Sequence, residues 1–232
     1  MILLVTDTSG KSGFLGLVRA DENAQAEQVK VLAEIPLAGG TFSAQLVPQI
    51  AALLSGQGLS KSNIGGFIVV SGPGSFTGLR VGLAAIKALA EILEKPIVPV
   101  SLLEVIAVAS GTTGTTVKVL VVLDAGRGEV YAGEYEVSGE SAKMHSEQLL
   151  TRAEAFSARS NSIPITVLTP DATLAEVARA AGLTVLQSDG ITCDMVARLG
   201  VRKLQAGEIV SPEQLEANYG RRSDAEIFVK QT

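Results

Sequence analysis

One short segment constrains the fold of this chain more than any other. A β-branched run at 67–71 stops at the glycine-rich loop 72–78, and a long apolar stretch begins near Arg80. Glycine reaches backbone angles closed to other residues, so the loop can turn tightly and aim several N–H groups in one direction. The segment therefore predicts a strand–loop–helix unit. The loop has two possible roles. It could bind an anion or a nucleotide, or it could be a rigid turn shaped to hold a partner.

Composition bounds the class of protein. The 232 residues are 47% hydrophobic, which is enough for one large domain or two small ones with a real core. The net charge of −5 argues against this chain being the main nucleic-acid contact, which would show a basic face. The single Cys193 excludes an intramolecular disulfide and is typical of a reducing compartment, so we expect a cytoplasmic protein.

The N-terminal apolar run is broken at Asp7 and indicates a buried strand rather than a signal peptide. A similar pattern returns later, because Leu120-Val-Val-Leu-Asp124 matches Leu3-Leu-Val-Thr-Asp7 at an offset of 117 residues (124 − 7). In both places an apolar strand ends in Asp, and a glycine-containing turn leads to a second strand. The repeat favours a duplicated α/β unit over one doubly wound sheet.

Hydrophobic periodicity predicts the remaining elements. The predicted strands are 2–6, 14–20, 28–35, 67–71, 97–100, 118–123, 129–137, 165–168 and 184–187. The predicted helices are 43–55, 80–94, 102–110, 153–160, 173–181 and 194–206. Residues 111–116 are predicted to be a linker, and the polar stretch 143–147 a solvated loop.

Two aspartates and the glycine loop are candidates for a nucleotide cleft, because aspartate at the end of the first strand of each half could hold Mg²⁺. Turn chemistry explains each aspartate about as well. The loop lacks both the Gly-Lys-Ser/Thr ending of a P-loop and a ribose-binding acidic residue after the next strand. The candidate cleft residues are Asp7, Thr8, Ser9, Gly72, Gly74, Ser75, Gly78 and Asp124.

The chain lacks the residue patterns that hydrolases usually require. His145 is the only histidine, so a two-histidine metal site is impossible. Ser75 lacks the glycine two positions earlier that a nucleophile elbow requires. Cys193 has no second cysteine or histidine near it in the sequence, and we expect a small core residue there. No catalytic residue and no metal ligand is therefore assigned.

The predicted helices 43–55 and 80–94 are apolar over most of their circumference. Such a helix must be covered on two sides, either by the protein's own sheet and a neighbouring helix or by a partner protein. The second reading predicts an interface. Its residues are Leu46, Ile50, Leu53, Arg80, Leu83, Ile86, Lys87 and Ala90.

Three segments carry a resemblance to a known family. Ile2-Leu-Leu-Val-Thr-Asp-Thr-Ser9, Ser71-Gly-Pro-Gly-Ser-Phe-Thr-Gly-Leu-Arg80 and Asp124-Ala-Gly-Arg-Gly-Glu-Val-Tyr131 resemble the TsaB (YeaZ) family in order and spacing. Beyond residue 135 only Glu216-Ala-Asn-Tyr-Gly-Arg221 is similar to a family segment. The chain has Phe42 near the start of the first helix, where family members usually have His.

The resemblance implies an actin/Hsp70/sugar-kinase-like (ASKHA) α/β fold of two duplicated RNase H-like subdomains. Each would have a mixed sheet flanked by helices. We expect the first subdomain at 1–110, with the partner-docking helices, and the second at 111–209. The tail 210–232 is expected to pack back on the first subdomain.

The resemblance also implies a function. It predicts that the chain is a scaffold and activating subunit and is not itself an enzyme. The complex would transfer a threonylcarbamoyl group to the adenosine beside the anticodon, in tRNAs that read codons beginning with A. The partners implied are the catalytic TsaD, a TsaE-like ATPase, tRNA through the complex only, and a second copy of the chain when alone; no membrane is implied. No cofactor of its own is expected, with ATP or ADP and Mg²⁺ at the level of the complex. The alternatives are a stand-alone kinase or ATPase of the same fold, and a peptidase.

Overall fold

The structure, a computed structural model, describes residues 1–21, 29–157 and 165–220, and of residues 112–114 only the backbone. The chain divides into two compact units. The first contains Met1–Leu102 and Ile191–Ala217. The second contains Leu103–Gly190 and continues from Asn218.

The first unit is built on a five-stranded mixed sheet. Its strands are β1 (Ile2–Asp7), β2 (Ser12–Arg19), β3 (Lys30–Ala38), β4 (Ile64–Gly72) and β5 (Ile97–Ser101). They lie in the order β3-β2-β1-β4-β5. The first three strands form an antiparallel meander, while β4 is parallel to both β1 and β5. The carboxyl ends of β1 and β4 therefore lie side by side at one edge of the sheet.

The second unit repeats this topology. Its strands are β6 (Thr112–Gly126), β7 (Glu129–Gly139), β8 (Ser141–Thr151), β9 (Thr166–Thr169) and β10 (Thr184–Gln187). The order is β10-β9-β6-β7-β8, with an antiparallel β6-β7-β8 meander and parallel β9 and β10. The duplication predicted from the two aspartate-terminated strands is confirmed, and the fold is a duplicated ASKHA-like α/β fold.

Helices cover both faces of the first sheet. Helices α1 (Phe42–Gly56) and α2 (Phe76–Leu93) pack on the face that carries Leu4 and Phe67. Helix α6 (Cys193–Gln205) packs on the opposite face, where a Cβ built on Gly200 would lie 2.4 Å from the Ile68 side chain. Because neighbouring residues of a strand face opposite ways, β4 contributes Phe67 to one layer and Ile68 to the other.

Three further helices belong to the second sheet. Helices α4 (Arg152–Ser157) and α5 (Ala172–Ala180) enclose an apolar core with Leu120 and Val122 of β6. Helix α3 (Leu102–Ala109) places Leu103 against the backbone of Gly133 in β7. The glycine provides the space that a side chain would occupy.

The units differ from the predicted ranges of 1–110 and 111–209. Helix α6 belongs to the first unit, because the glycine and small residues on its buried side fit closely on the first sheet. Of the predicted tail, 210–217 belongs to the first unit, where Val210 pairs with Ile97 of β5 and Leu215 is buried in the core. The residues after 220 lie outside the described part of the chain.

Two local predictions were wrong. Residues 112–116, predicted as a linker, have strand backbone and begin β6; Thr112 lies opposite Gly139 of β7, and the regular pairing with β7 starts at Val117. Residues 143–147, predicted as a loop, lie in β8. Their polarity reflects the exposed edge position of a strand that pairs only with β7.

Candidate functional site

The turn after β1 holds a buried carboxylate. Asp7, Thr8 and Ser9 are all at least nine-tenths buried. Asp7 Oδ1 accepts hydrogen bonds from the Ser9 backbone N–H at 2.8 Å and from the Ser9 hydroxyl at 2.6 Å. Burial raises the pKa of Asp7 above its ordinary value of 3.8, although the two bonds from Ser9 act in the opposite direction.

The glycine loop folds directly onto this turn. The backbone N–H of Ser75 donates to the Ser9 carbonyl oxygen at 2.7 Å. Ser75 is also the N-cap of α2, since its hydroxyl accepts a hydrogen bond from the Gly78 N–H at 3.2 Å. This cap explains why α2 begins at Phe76, before the predicted start near 80.

The glycines of the loop and of α2 are needed for space. A Cβ built on Gly74 would lie 2.3 Å from the Ser9 carbonyl oxygen, and one on Gly78 would lie 2.1 Å from the Thr8 carbonyl oxygen. At Gly82 the atom in the way is Thr8 Oγ1, at 2.1 Å. The loop and the start of α2 therefore press on the backbone of the turn after β1. Gly72, at the end of β4, has a positive φ of 126°.

The structure thus brings together seven of the eight predicted cleft residues within the first unit. Their binding of a nucleotide stays a prediction. The eighth, Asp124, lies in the second unit at the end of β6. Its Oδ1 accepts a hydrogen bond from Arg152 Nη2 at 3.0 Å, and both side chains are partly exposed. Sequence gave no signal for the Arg152 partner, because the two residues are 28 positions apart.

The predicted interface residues have a different role in the structure. Six of them are buried in the core that α1 and α2 share with the first sheet, and only Arg80 and Lys87 reach solvent. The six are Leu46, Ile50, Leu53, Leu83, Ile86 and Ala90. The large aliphatic side chains of each helix point towards its own sheet, and the contact of these six residues with a partner stays a prediction.

The solvent-facing sides of α1 and α2 are formed by other residues. On α1, Val47 is 62% exposed, and on α2, Ile92 is 69% exposed. Small residues line the rest of these sides: Ala44, Pro48, Ala51 and Ala52 on α1, and Ala84 and Ala88 on α2. These positions recur every three to four residues, and that spacing is the signal by which sequence could have found them.

An aromatic–cation pair marks the start of α2. Phe76 is 51% exposed, and the guanidinium carbon of Arg80 lies 3.7 Å from the centre of its ring. The two residues are one helical turn apart, which places them on the same face. Stacking of this kind holds an exposed arginine in a defined position.

The two remaining reactive candidates, His145 and Cys193, lie on different elements. His145 lies on the edge strand β8, with its Nε2 3.3 Å from Glu136 Oε2. Cys193 is buried at the start of α6. Burial, with smaller contributions from Glu34 and Asp194, raises the pKa of Cys193 to about 12, so its thiol is unreactive near neutral pH.

No group of three or more His, Cys, Asp or Glu side chains among the described residues is placed to hold a metal ion. Within the same part of the chain, no helix is both long and apolar enough to cross a membrane.

Known proteins share both sequence and fold with this chain. The family model described as TsaD, tRNA N6-adenosine threonylcarbamoyltransferase, matches residues 36–189. The tRNA threonylcarbamoyladenosine biosynthesis protein TsaB of Bacillus subtilis is 33% identical over 136 residues, which are 59% of this chain and 56% of that protein. TsaB of Escherichia coli is 34% identical over 104 residues, 45% of each chain. The chain thus spans about half the length of the curated relatives it matches.

The solved structure of YeaZ from Pseudomonas aeruginosa has the same fold. It superposes with a TM-score of 0.71 at 22% identity, covering 94% of this chain and 100% of the other. A second structure, described as an uncharacterized protein similar to peptidase YeaZ from the same organism, has a TM-score of 0.73 at 22% identity. It covers 95% of this chain and 99% of the other.

Proposed function

The chain belongs to the TsaB (YeaZ) family, and on this premise we propose that it acts in tRNA threonylcarbamoyladenosine biosynthesis as a non-catalytic scaffold. In this role it docks on a TsaD-like catalytic subunit through the exposed sides of α1 and α2. We call this surface the α1/α2 face. It consists of Ala44, Val47, Pro48, Ala51 and Ala52 of α1, and of Ala84, Ala88 and Ile92 of α2.

The observation that carries this proposal is the lack of charge on α1. No Asp, Glu, Lys, Arg or His occurs between Glu34 and Lys61, although α1 lies in this interval and exposes much of one side. An exposed helix surface usually carries charged side chains, and an extended apolar patch instead marks a protein interface. The alanines would let partner helices approach closely, as in a helix bundle.

Charges on α2 border the face. Arg80, stacked on Phe76, lies in the first half of the helix, whereas Lys87 and Glu91 lie in its second half and Glu94 directly follows it. A second copy of the chain with its α2 antiparallel about Ala84 and Ala88 would place Arg80 of each copy near Glu91 of the other. We infer that the same face pairs with a second copy when the catalytic partner is absent, so that self-association and docking compete.

The residues that the chain contains indicate which tasks fall to other subunits. One histidine cannot supply a two-histidine metal site, so the metal-dependent chemistry falls to the partner. The net charge of −5 leaves most of the tRNA contact to other subunits. ATP or ADP, Mg²⁺ and a TsaE-like ATPase act at the level of the assembled complex, and the site of action is the cytoplasm.

Light-scattering chromatography of the chain mixed with the TsaD homologue of its own organism tests the proposal. We expect a one-to-one complex that replaces the self-associated form, and tRNA modification that requires both proteins. Separate elution of the two proteins, both with ATP and Mg²⁺ and without them, would overturn the docking role.

Three variants locate the interface. Val47→Glu and Ala88→Glu place a charge on the α1/α2 face, and we expect each to abolish the complex because an unpaired charge buried in an apolar interface costs several kcal/mol. Gln187→Glu adds the same charge at an exposed position of β10 and is the matched control. Leu83 and Ile86 are unsuitable for this test, because a glutamate at either buried position would unfold the first unit. If Val47→Glu and Ala88→Glu bind as well as Gln187→Glu does, the face is wrong.

A further inference from the structure

The segment that follows α6 is held at separate points. Within the first unit, Val210 forms a single bridge with Ile97 at the edge of β5, and Leu215 is buried in the apolar core. From Asn218 the chain belongs to the second unit. Backbone hydrogen bonds hold parts of 206–215, whereas residues 216–220 contain neither helix nor strand, so individual contacts position them.

One of these contacts is a chain of hydrogen bonds centred on Glu147 of β8. Glu147 Oε1 accepts a hydrogen bond from the hydroxyl of Tyr135 in β7, and Glu147 Oε2 accepts one from Asn218 Nδ2. Asn218 Oδ1 in turn accepts the backbone N–H of Gly220 at 2.9 Å. Both oxygens of one carboxylate are thus bound, one by the sheet and the other by the C-terminal segment.

Tyr135 fixes the position of this carboxylate. It is the largest fully buried side chain among the described residues, and its hydroxyl requires an acceptor because a buried O–H without one is costly. The register of β7 and β8 shifts between Glu134 and Tyr135, next to this pair. The Glu147 carboxyl group is therefore already held by the sheet when Asn218 binds it.

We propose that Glu147 is a latch that holds the C-terminal segment on the second sheet through Asn218. When the latch is broken, residues 218–220 detach while β7 and β8 stay folded. Such local opening is expected where a segment is attached by few contacts to a stable sheet.

Hydrogen exchange measured by mass spectrometry on the full chain tests the latch. Asn218→Asp keeps the oxygen that accepts the Gly220 N–H but sets a second carboxylate against Glu147. We expect exchange in peptides covering 216–220 to rise about tenfold, with exchange in β7 and β8 unchanged. Glu136→Gln is the matched control, since it alters another carboxylate of the same strand pair that contacts His145. It should leave 216–220 unchanged.

A double variant separates the contact from a general loss of order. In Glu147→Gln combined with Asn218→Asp, the glutamine N–H₂ donates to the new carboxylate while its oxygen still accepts from Tyr135. We expect exchange in 216–220 to return to within about threefold of the unmodified chain, because the two changes restore one pair. The latch is wrong if Asn218→Asp leaves this exchange within twofold of the unmodified chain, or if the double variant exchanges as fast as Asn218→Asp.

Discussion

The turn that follows β1 and the turn that follows β6 occupy equivalent places in the two units, yet they use the same residue types for different purposes. In the first unit Asp7 is buried and bonded to Ser9, and the glycines that surround the turn provide space. In the second unit Asp124 is exposed and paired with Arg152, and the glycines provide left-handed backbone. Aspartates at equivalent strand ends therefore do not imply identical sites.

The glycines show the contrast most clearly. Gly78 has no positive φ but stands against the Thr8 carbonyl oxygen, whereas Gly126 and Gly128 have φ near +80° and open space around the missing Cβ. Between them Arg127 also adopts a positive φ of 55°. Substitution around the first turn is thus restricted by contact between backbone segments. Substitution in the second turn is restricted by its own dihedral angles.

The largest effect is expected from Gly78→Ala. The new Cβ would overlap the backbone of the Asp7–Ser9 turn, which cannot move without disturbing β1, so we expect the free energy of unfolding to fall by about 3 kcal/mol. Urea denaturation of the variant measures this loss. Gly56→Ala, at the last residue of α1 with nothing within 4 Å of its Cβ, is the control and should be neutral or slightly stabilising. A loss below about 1 kcal/mol for Gly78→Ala would remove the steric account of the loop.

A smaller loss is expected from Gly128→Ala in the second turn. Its Cβ meets no atom within 4 Å, so only the left-handed backbone opposes the change, at about 1 kcal/mol. Gly128→Asn should recover part of this loss, because asparagine tolerates that conformation. Comparison of the two variants by urea denaturation checks the account. An Asn variant less stable than the Ala variant would point to contacts instead of φ.

The duplication could be predicted because each half opens with an apolar strand that ends in Asp. The side chains that would face a partner could not be predicted in the same way. Helix α2 is apolar nearly all round, so its sequence does not reveal which side the sheet covers. The structure buries Leu83 and Ile86 and exposes Ala84 and Ala88. In these four residues, burial depends on the size of the side chain more than on its hydrophobicity.

Long-range pairing limits sequence reasoning in the same way. Strand β8 is polar because it lies at a sheet edge. Its sequence pattern can be interpreted as a strand only when its pairing with β7 is known. Helix α6 follows the second sheet in the chain but packs on the first, because its buried side, with Gly200, complements Ile68. The loop 72–78 was recognisable as a tight unit, but its contact with Ser9 depends on β1 and β4 being neighbours.

A third prediction uses the buried charge of the first turn. Since the pKa of Asp7 is raised in the folded chain, the folded state holds this proton more tightly than the unfolded state. Ionisation of Asp7 therefore lowers the stability of the fold as the pH rises above the ordinary pKa of 3.8.

Asp7→Asn keeps an oxygen for Ser9 and removes the charge, so we expect a more stable protein at pH 7. Its advantage should shrink as the pH falls towards 4. Denaturation midpoints measured across this range check the sign, and an Asn variant that is less stable at pH 7 would contradict it.

The smallest effect is expected from Asp124→Asn, and with the opposite sign. This carboxylate pairs with Arg152 in solvent, where an exposed ion pair contributes between about 0 and 1 kcal/mol and is screened by salt. We expect a loss of stability at low ionic strength that disappears near 1 M salt. Thermal unfolding at two salt concentrations measures it, with Arg152→Lys as the companion variant that keeps the charge but loses the planar guanidinium. A stabilising Asp124→Asn would mean that the second aspartate is held under the same burial penalty as Asp7, and the distinction between the two turns would fail.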